Sequence, residues 1–241
     1  QQQSLLASPE LIELHGLFLR KESQALVPRK LSKDFAKNIS LLGLEERLQQ
    51  LEFAEKVEQL LEENRTSFIQ AQTGLGKTYG YLLPALNSES QAGILVSVPT
   101  KILQNQIMQE EGQRLKEVFH LEIHSLKGPQ NYLKLDAFHQ ILHRPESNRL
   151  FTRFKMQLLI WLTETETGDL DEIGQLYRYQ HFLPELVHDG KLSKKSLFAT
   201  EDFWKRGQEK AKTSRVLLTN HAYLVTRLED NPEFVDNRLV I

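Results

Sequence analysis

The chain contains no cysteine, which excludes disulfides and thiolate metal sites and fits a reducing, intracellular and cytoplasmic setting. It also lacks an apolar run of membrane-spanning length and a signal-peptide profile, so no membrane partner is expected. Neither sign of charge dominates. The 30 basic and 32 acidic residues leave a formal net charge of −2, which excludes a global basic field and leaves any nucleic-acid contact to local clusters. There is no initiating Met at Gln1, and the last four residues, Arg238 to Ile241, read as a buried strand, so a piece of a longer chain is expected. What is present, 241 residues with 40% hydrophobic content, is enough to bury a sizeable core: one α/β domain with an insertion, or two small domains.

The most informative stretch runs from Ala71 to Thr78, Ala-Gln-Thr-Gly-Leu-Gly-Lys-Thr. A polyphosphate has to be wrapped by backbone N–H groups, and Gly74 and Gly76 allow the chain to turn tightly enough to point them inward. Thr73, Gly74, Leu75, Gly76, Lys77 and Thr78 are therefore the candidate nucleotide-binding residues. Lys77 would neutralise the β/γ oxygens and the Thr78 hydroxyl would ligate Mg²⁺, both at the positive end of a helix. The general pattern has glycine where Ala71 stands. Residues 67–71 read as a buried strand ahead of the loop and residues 77–83 as the helix after it.

Residues 1–44 show no strong period and read as an arm or linker, with Lys30, Lys33 and Lys37 in a basic stretch. From 45 to 64, apolar residues recur at helical spacing. Arg47 and Gln50, three apart on that helix, are candidates for the adenine edge, since an amide can pair bidentately with N6 and N7. A strand is expected at 93–98, then a turn at Pro99-Thr100-Lys101 and a long amphipathic helix through about Val118. In an open parallel sheet that turn lies on the same carboxyl edge as the phosphate loop, which makes Thr100, Lys101 and Gln104 candidate contacts to a nucleic-acid backbone.

Between His120 and Thr213 the strand–helix alternation stops and an inserted, mostly helical segment begins. Tyr132, beside the Gly128-Pro129 turn, offers either a ring for base stacking or a packed core residue. His139 and His143 are i,i+4 neighbours without a third metal ligand nearby in sequence. The segment's aromatics suit a small core of its own, and Lys191, Lys194, Lys195, Lys205, Arg206, Lys210 and Lys212 make its end locally basic. Alternation returns with a strand at 215–219 and a helix opened by Asn220, a cap and a further candidate at the nucleic-acid edge.

Taken in order, the phosphate loop, the Val98-Pro99-Thr100-Lys101 turn, the Lys127 to Leu133 segment and Thr219-Asn220-His221-Ala222 resemble the DinG branch of the XPD-like superfamily 2 DNA helicases, from about residue 45 to the end. The resemblance implies an α/β fold: a RecA-like P-loop parallel sheet with flanking helices at 45–118 and 213–241. It is interrupted at 119–212 by a mostly helical inserted domain in the place of an iron–sulfur domain. It implies ATP and Mg²⁺ as ligands and single-stranded DNA as partner. Arg47 and Gln50 match the adenine-side motif, Lys77 and Thr78 the catalytic loop, and Thr100 and Lys101 a strand-contacting turn. Family members continue past the strand matching Leu239-Val240-Ile241 into Asp-Glu-Ala-His, so the acidic motif, the second motor domain and its arginine finger are expected to be missing here. Members with an iron–sulfur cluster carry Cys directly after Asn-Tyr-Leu, where this chain has Lys134, so no iron–sulfur cluster is expected. Some cluster-free relatives carry an exonuclease domain ahead of the helicase part. Two rival readings are a non-helicase P-loop enzyme such as a kinase, and a module that binds nucleotide or DNA without turnover.

Overall fold

A computed structural model describes residues 27–63, 66–88, 93–145, 147–191 and 196–241. They fall into two compact units, one made from the described parts of 25–127 with 211–241, the other from those of 128–210.

The first unit is built on four strands, β1 (Gly93–Val98), β2 (Ile123–Ser125), β3 (Val216–Asn220) and β4 (Arg238–Val240), in the order β2-β3-β1-β4 and all parallel. Ile94 of β1 lies opposite Val216 on one side and Leu239 on the other, which brings segments more than 120 residues apart into register. Continuous apolar runs such as Ile94-Leu95-Val96 and Val216-Leu217-Leu218 suit this position, because a parallel sheet is covered on both faces and has no solvent side for alternating polar residues. The α/β architecture expected from the sequence is thus present.

The helices of this unit are α1 (Phe35–Leu41), α2 (Leu48–Glu62), α3 (Lys77–Asn87), α4 (Lys101–Ile107), α5 (Gln113–Phe119) and, after β3, α6 (His221–Asp230). Ile39, Tyr79, Leu82, Leu83, Ile107, Leu115 and Phe119 pack with Ile94, Val96, Val216 and Leu218 in one core. Helix α3 lies close against α2, since a Cβ on Gly80 would stand 2.5 Å from the Phe53 ring.

Four expectations change. The described part of the supposed arm belongs to the core unit: Ile39 and Leu42 are buried, and Asn38, 0% exposed, exchanges two hydrogen bonds with the Ser32 backbone. Residues 66–71 form no strand, and Phe68 is 99% exposed. Apolar composition makes a strand only where neighbouring strands accept its hydrogen bonds, and among the described residues none flanks this segment. The long helix after β1 is interrupted by a π-helical turn at Met108–Gly112 between α4 and α5. Finally, the alternation does not stop at His120, because β2 joins the sheet beyond it, too short to be recognised by its pattern.

The second unit is mostly helical, with α7 (Leu135–His143), α8 (Arg149–Leu162), four short 3₁₀ turns and α9 (Phe203–Thr213), whose last residues pass into the first unit. Its own aromatics fill it: the Phe154 and Tyr179 rings stack at 4.2 Å, and Tyr132 lies 5.5 Å from Trp204. His188 is enclosed as well. Its Nδ1 accepts from the Gly190 N–H at 2.9 Å, so its Nε2 carries the proton donated to Asp202 at 3.1 Å. Lys134, standing where cluster-bearing relatives have Cys, pairs with Asp189 at 2.8 Å. Lys194 and Lys195 of the basic run lie outside the described residues.

Candidate functional site

The loop ahead of α3 has the backbone that its glycines permit. Gly74 and Gly76 take φ of +78° and +83°, left-handed values that side-chain-bearing residues seldom adopt, and Gly76 caps the helix that begins with Lys77 and Thr78. Two side chains from the start of α2 hold this loop. Arg47 donates to the Gly74 carbonyl at 3.0 Å, and Gln50 Nε2 donates to the Gly76 carbonyl at 2.9 Å. Arg47 is the residue that caps α2 and lies ahead of its first turn, so the pair converges through the loop and not through a shared helical face.

Arg47, Gln50, Thr73, Gly74 and Leu75 line a cavity of about 170 Å³ together with Gln49 and Gln72. The sequence reading thus named five of its seven walls. Lys77 folds its ammonium onto the loop, donating to the Gln72 carbonyl at 2.8 Å and the Ala71 carbonyl at 3.5 Å. Those carbonyls are weak partners that phosphate oxygens could replace. Thr78, one residue on, lies in the first turn of α3. Burial pushes the Tyr81 phenol up to about 12 and the Glu111 carboxyl above its ordinary value. Left-handed turns, an ammonium and a hydroxyl at a helix start form a donor set that fits a Mg²⁺-bound polyphosphate.

The carboxyl edge of the sheet holds the other candidates, and it sorts them. Thr100 and Lys101 are exposed, Thr100 capping α4 by accepting from the Leu103 N–H at 3.2 Å. Gln104 is 0% exposed. Its Nε2 reaches Ser125 Oγ at 2.9 Å and the carbonyls of Leu126 at 3.0 Å and Leu218 at 3.1 Å, while its Oε1 accepts from Asn220 Nδ2 at 3.1 Å. Asn220, also buried, caps α6 through the Tyr223 N–H at 3.0 Å. These two amides tie α4, β2 and β3 together and present no surface to a strand of DNA. Tyr132, 2% exposed, is likewise core. The reason is common to all three: a polar or aromatic side chain at the right sequence position can be turned inward when buried backbone carbonyls or rings need a partner. In the second unit, the His139 and His143 rings stand 4.5 Å apart, but among the described residues no group of three or more His, Asp or Glu could hold a metal ion.

Two features of the site were missed in sequence. Ser97 Oγ and His221 Nδ1 meet at 2.8 Å on the same sheet edge, and the loop is clamped by Arg47. Gly112, a glycine inside a helical pattern, was the available signal for the π turn that carries Glu111.

Comparison with known proteins agrees with this geometry. Residues 50–170, half of the chain, match the family described as DEAD/DEAH box helicase. The protein called 3'-5' exonuclease DinG in Staphylococcus saprophyticus is 33% identical over 198 residues, covering 79% of this chain and 21% of that protein. Its Staphylococcus aureus counterpart is 32% identical over 195 residues with the same coverage. The chain spans about a fifth of the length of these relatives.

Proposed function

The chain belongs to the DEAD/DEAH box helicase family, and from that premise we propose that it is the nucleotide-binding motor portion of a DinG-like, ATP-dependent DNA translocase or helicase. The observation that carries this reading is the clamped loop: Gly74 and Gly76 in left-handed conformations, held by Arg47 and Gln50, with Lys77 and Thr78 opening α3. ATP is the substrate seated there, with its base toward Arg47 and Gln50 and its phosphates on residues 73–78. Mg²⁺, held through the Thr78 hydroxyl, would supply neutralisation of phosphate charge. Lys77 places its ammonium against the transferred phosphoryl group, where charge develops, and Thr78 offers its hydroxyl oxygen to the metal. Thr100 and Lys101, exposed at the carboxyl edge, contact the backbone of single-stranded DNA. The exonuclease in the relatives' name is theirs, and only the motor is assigned here.

The test is ATP hydrolysis by the full-length protein with and without single-stranded DNA. Stimulation by DNA is expected in the wild type. Lys77→Ala should reduce turnover by on the order of 10²–10³-fold, the usual cost of one preorganised charge-stabilising group, with an unchanged melting temperature. Turnover indifferent to DNA would favour a small-substrate P-loop enzyme, and nucleotide binding without turnover would leave a binding module.

A further inference from the structure

Strands β1 and β3 run side by side and end together. Val98 lies opposite Asn220, so the turn at Pro99-Thr100-Lys101 and the start of α6 at His221 leave the sheet from neighbouring strands, which are about 5 Å apart. At that edge Ser97 Oγ and His221 Nδ1 meet at 2.8 Å. Ser97 is held on both sides: it lies opposite Thr219 of β3, and its N–H donates to the Ile241 carbonyl at 2.8 Å. His221 is exposed, as are Thr100 and Lys101, whereas Asn220, the residue before it, is turned inward.

A serine hydroxyl carries one hydrogen, and a neutral imidazole has one N–H and one bare nitrogen. Among the described residues, His221 Nδ1 is the one side-chain partner of Ser97 Oγ, and the other ring nitrogen, Nε2, has none. The arrangement that uses the serine hydrogen sends it to Nδ1, which leaves the ring proton on Nε2. His221 is also the first residue of α6, where the partial positive charge of a helix start disfavours an imidazolium. The ring is thus a neutral donor, oriented from the sheet and presenting its N–H on the side away from Ser97. The same edge exposes the Thr100 hydroxyl and the Lys101 ammonium, so its chemistry suits an anion. We infer that His221 is a further contact to single-stranded DNA, donating from Nε2 to a phosphodiester oxygen, and that Ser97 is the positioning residue that fixes its ring. The inference rests on the DNA reading above and adds to it a donor from α6.

The experiment follows the fluorescence anisotropy of labelled oligo-dT and oligo-dA strands with the full-length protein, across NaCl concentrations at about pH 8, above the usual histidine value. The variants are His221→Ala, His221→Gln, Ser97→Ala, the double Ser97→Ala/His221→Ala, and Lys101→Ala. His221→Ala should weaken both strands alike, by on the order of tenfold, the worth of one hydrogen bond to a charged group, with an unchanged melting temperature. It should leave the salt dependence in place, because a neutral donor releases no counterion, whereas Lys101→Ala should lower it. His221→Gln, whose amide N–H can take the place of Nε2–H, should recover most of the loss. Ser97→Ala should weaken binding by a smaller factor, and by nothing once His221 is gone. Unchanged affinity of His221→Ala, or a loss confined to one of the two bases, overturns the phosphate contact while the DNA reading stands. A Ser97→Ala loss that persists without His221 overturns the positioning role. A wild type that binds neither strand overturns the DNA reading itself, and this inference with it.

Discussion

Gln50 and Gly76 are locked against each other: the Gln50 amide donates to the Gly76 carbonyl at 2.9 Å, and a Cβ placed on Gly76 would stand 2.2 Å from Gln50 Nε2. The residue that appeared suited to read a base is also the one that sets the curvature of the phosphate loop. A side chain at position 76 would therefore disturb both ends of the nucleotide cavity together.

That contact separates two glycines that look equivalent in sequence. Gly74→Ala meets no atom within 4 Å and bears only the left-handed backbone cost, about 1–2 kcal/mol. Gly76→Ala bears the same cost and must also displace Gln50. Calorimetric titration with MgATP should show Gly76→Ala weakened by more than tenfold and Gly74→Ala by roughly tenfold or less. Equal losses would mean that the Gln50 contact does not shape the loop.

The sorting of the sheet edge has opposite consequences for two neighbouring residues. Gln104→Ala strips partners from the Leu126 and Leu218 carbonyls and from the Asn220 amide, so urea unfolding should show a loss of about 1–3 kcal/mol. Lys101→Ala should leave that midpoint in place. It should weaken single-stranded DNA binding evenly across sequences and lower the dependence of log K on log salt by about 0.7. A stable Gln104→Ala with lost DNA binding would return Gln104 to the strand-contacting set.

In the helical unit, the hydrogen bond from Lys134 holds the Asp189 carboxyl down, at about 2 against a usual 3.8. A depressed value in the folded state means that the pair's contribution is present in full above the usual carboxylate value and is lost as pH falls through about 2. Asp189 is half exposed, so solvent screens the pair and its worth is below about 1 kcal/mol. Lys134→Met should lower the thermal midpoint slightly at pH 6, and the difference from wild type should vanish near pH 2. A difference that persists at pH 2 would assign the effect to Lys134 packing.

What the sequence alone determined is the chemistry encoded by adjacent residues. Two glycines bracketing Leu75, followed by Lys77-Thr78, dictate a tight turn into a helix, and the runs at 93–98 and 215–219 dictate strands, observed at 93–98 and 216–220. These depend on local backbone freedom and hydrophobic pattern, which need no distant partner. The helix after Thr100 and the cap at Asn220 were legible for the same reason. Only the tertiary structure decided which polar groups face inward. Asn220 meets Gln104 across 116 residues, and Gln104 in turn reaches Leu218 across 114, so neither residue's surroundings are written near it. The same holds for Tyr132 against Trp204, and for residues 67–71, whose strand-like composition finds no neighbouring strand among the described residues. A side chain's chemistry is carried by its own atoms, but its use is set by the desolvated groups that folding brings to it.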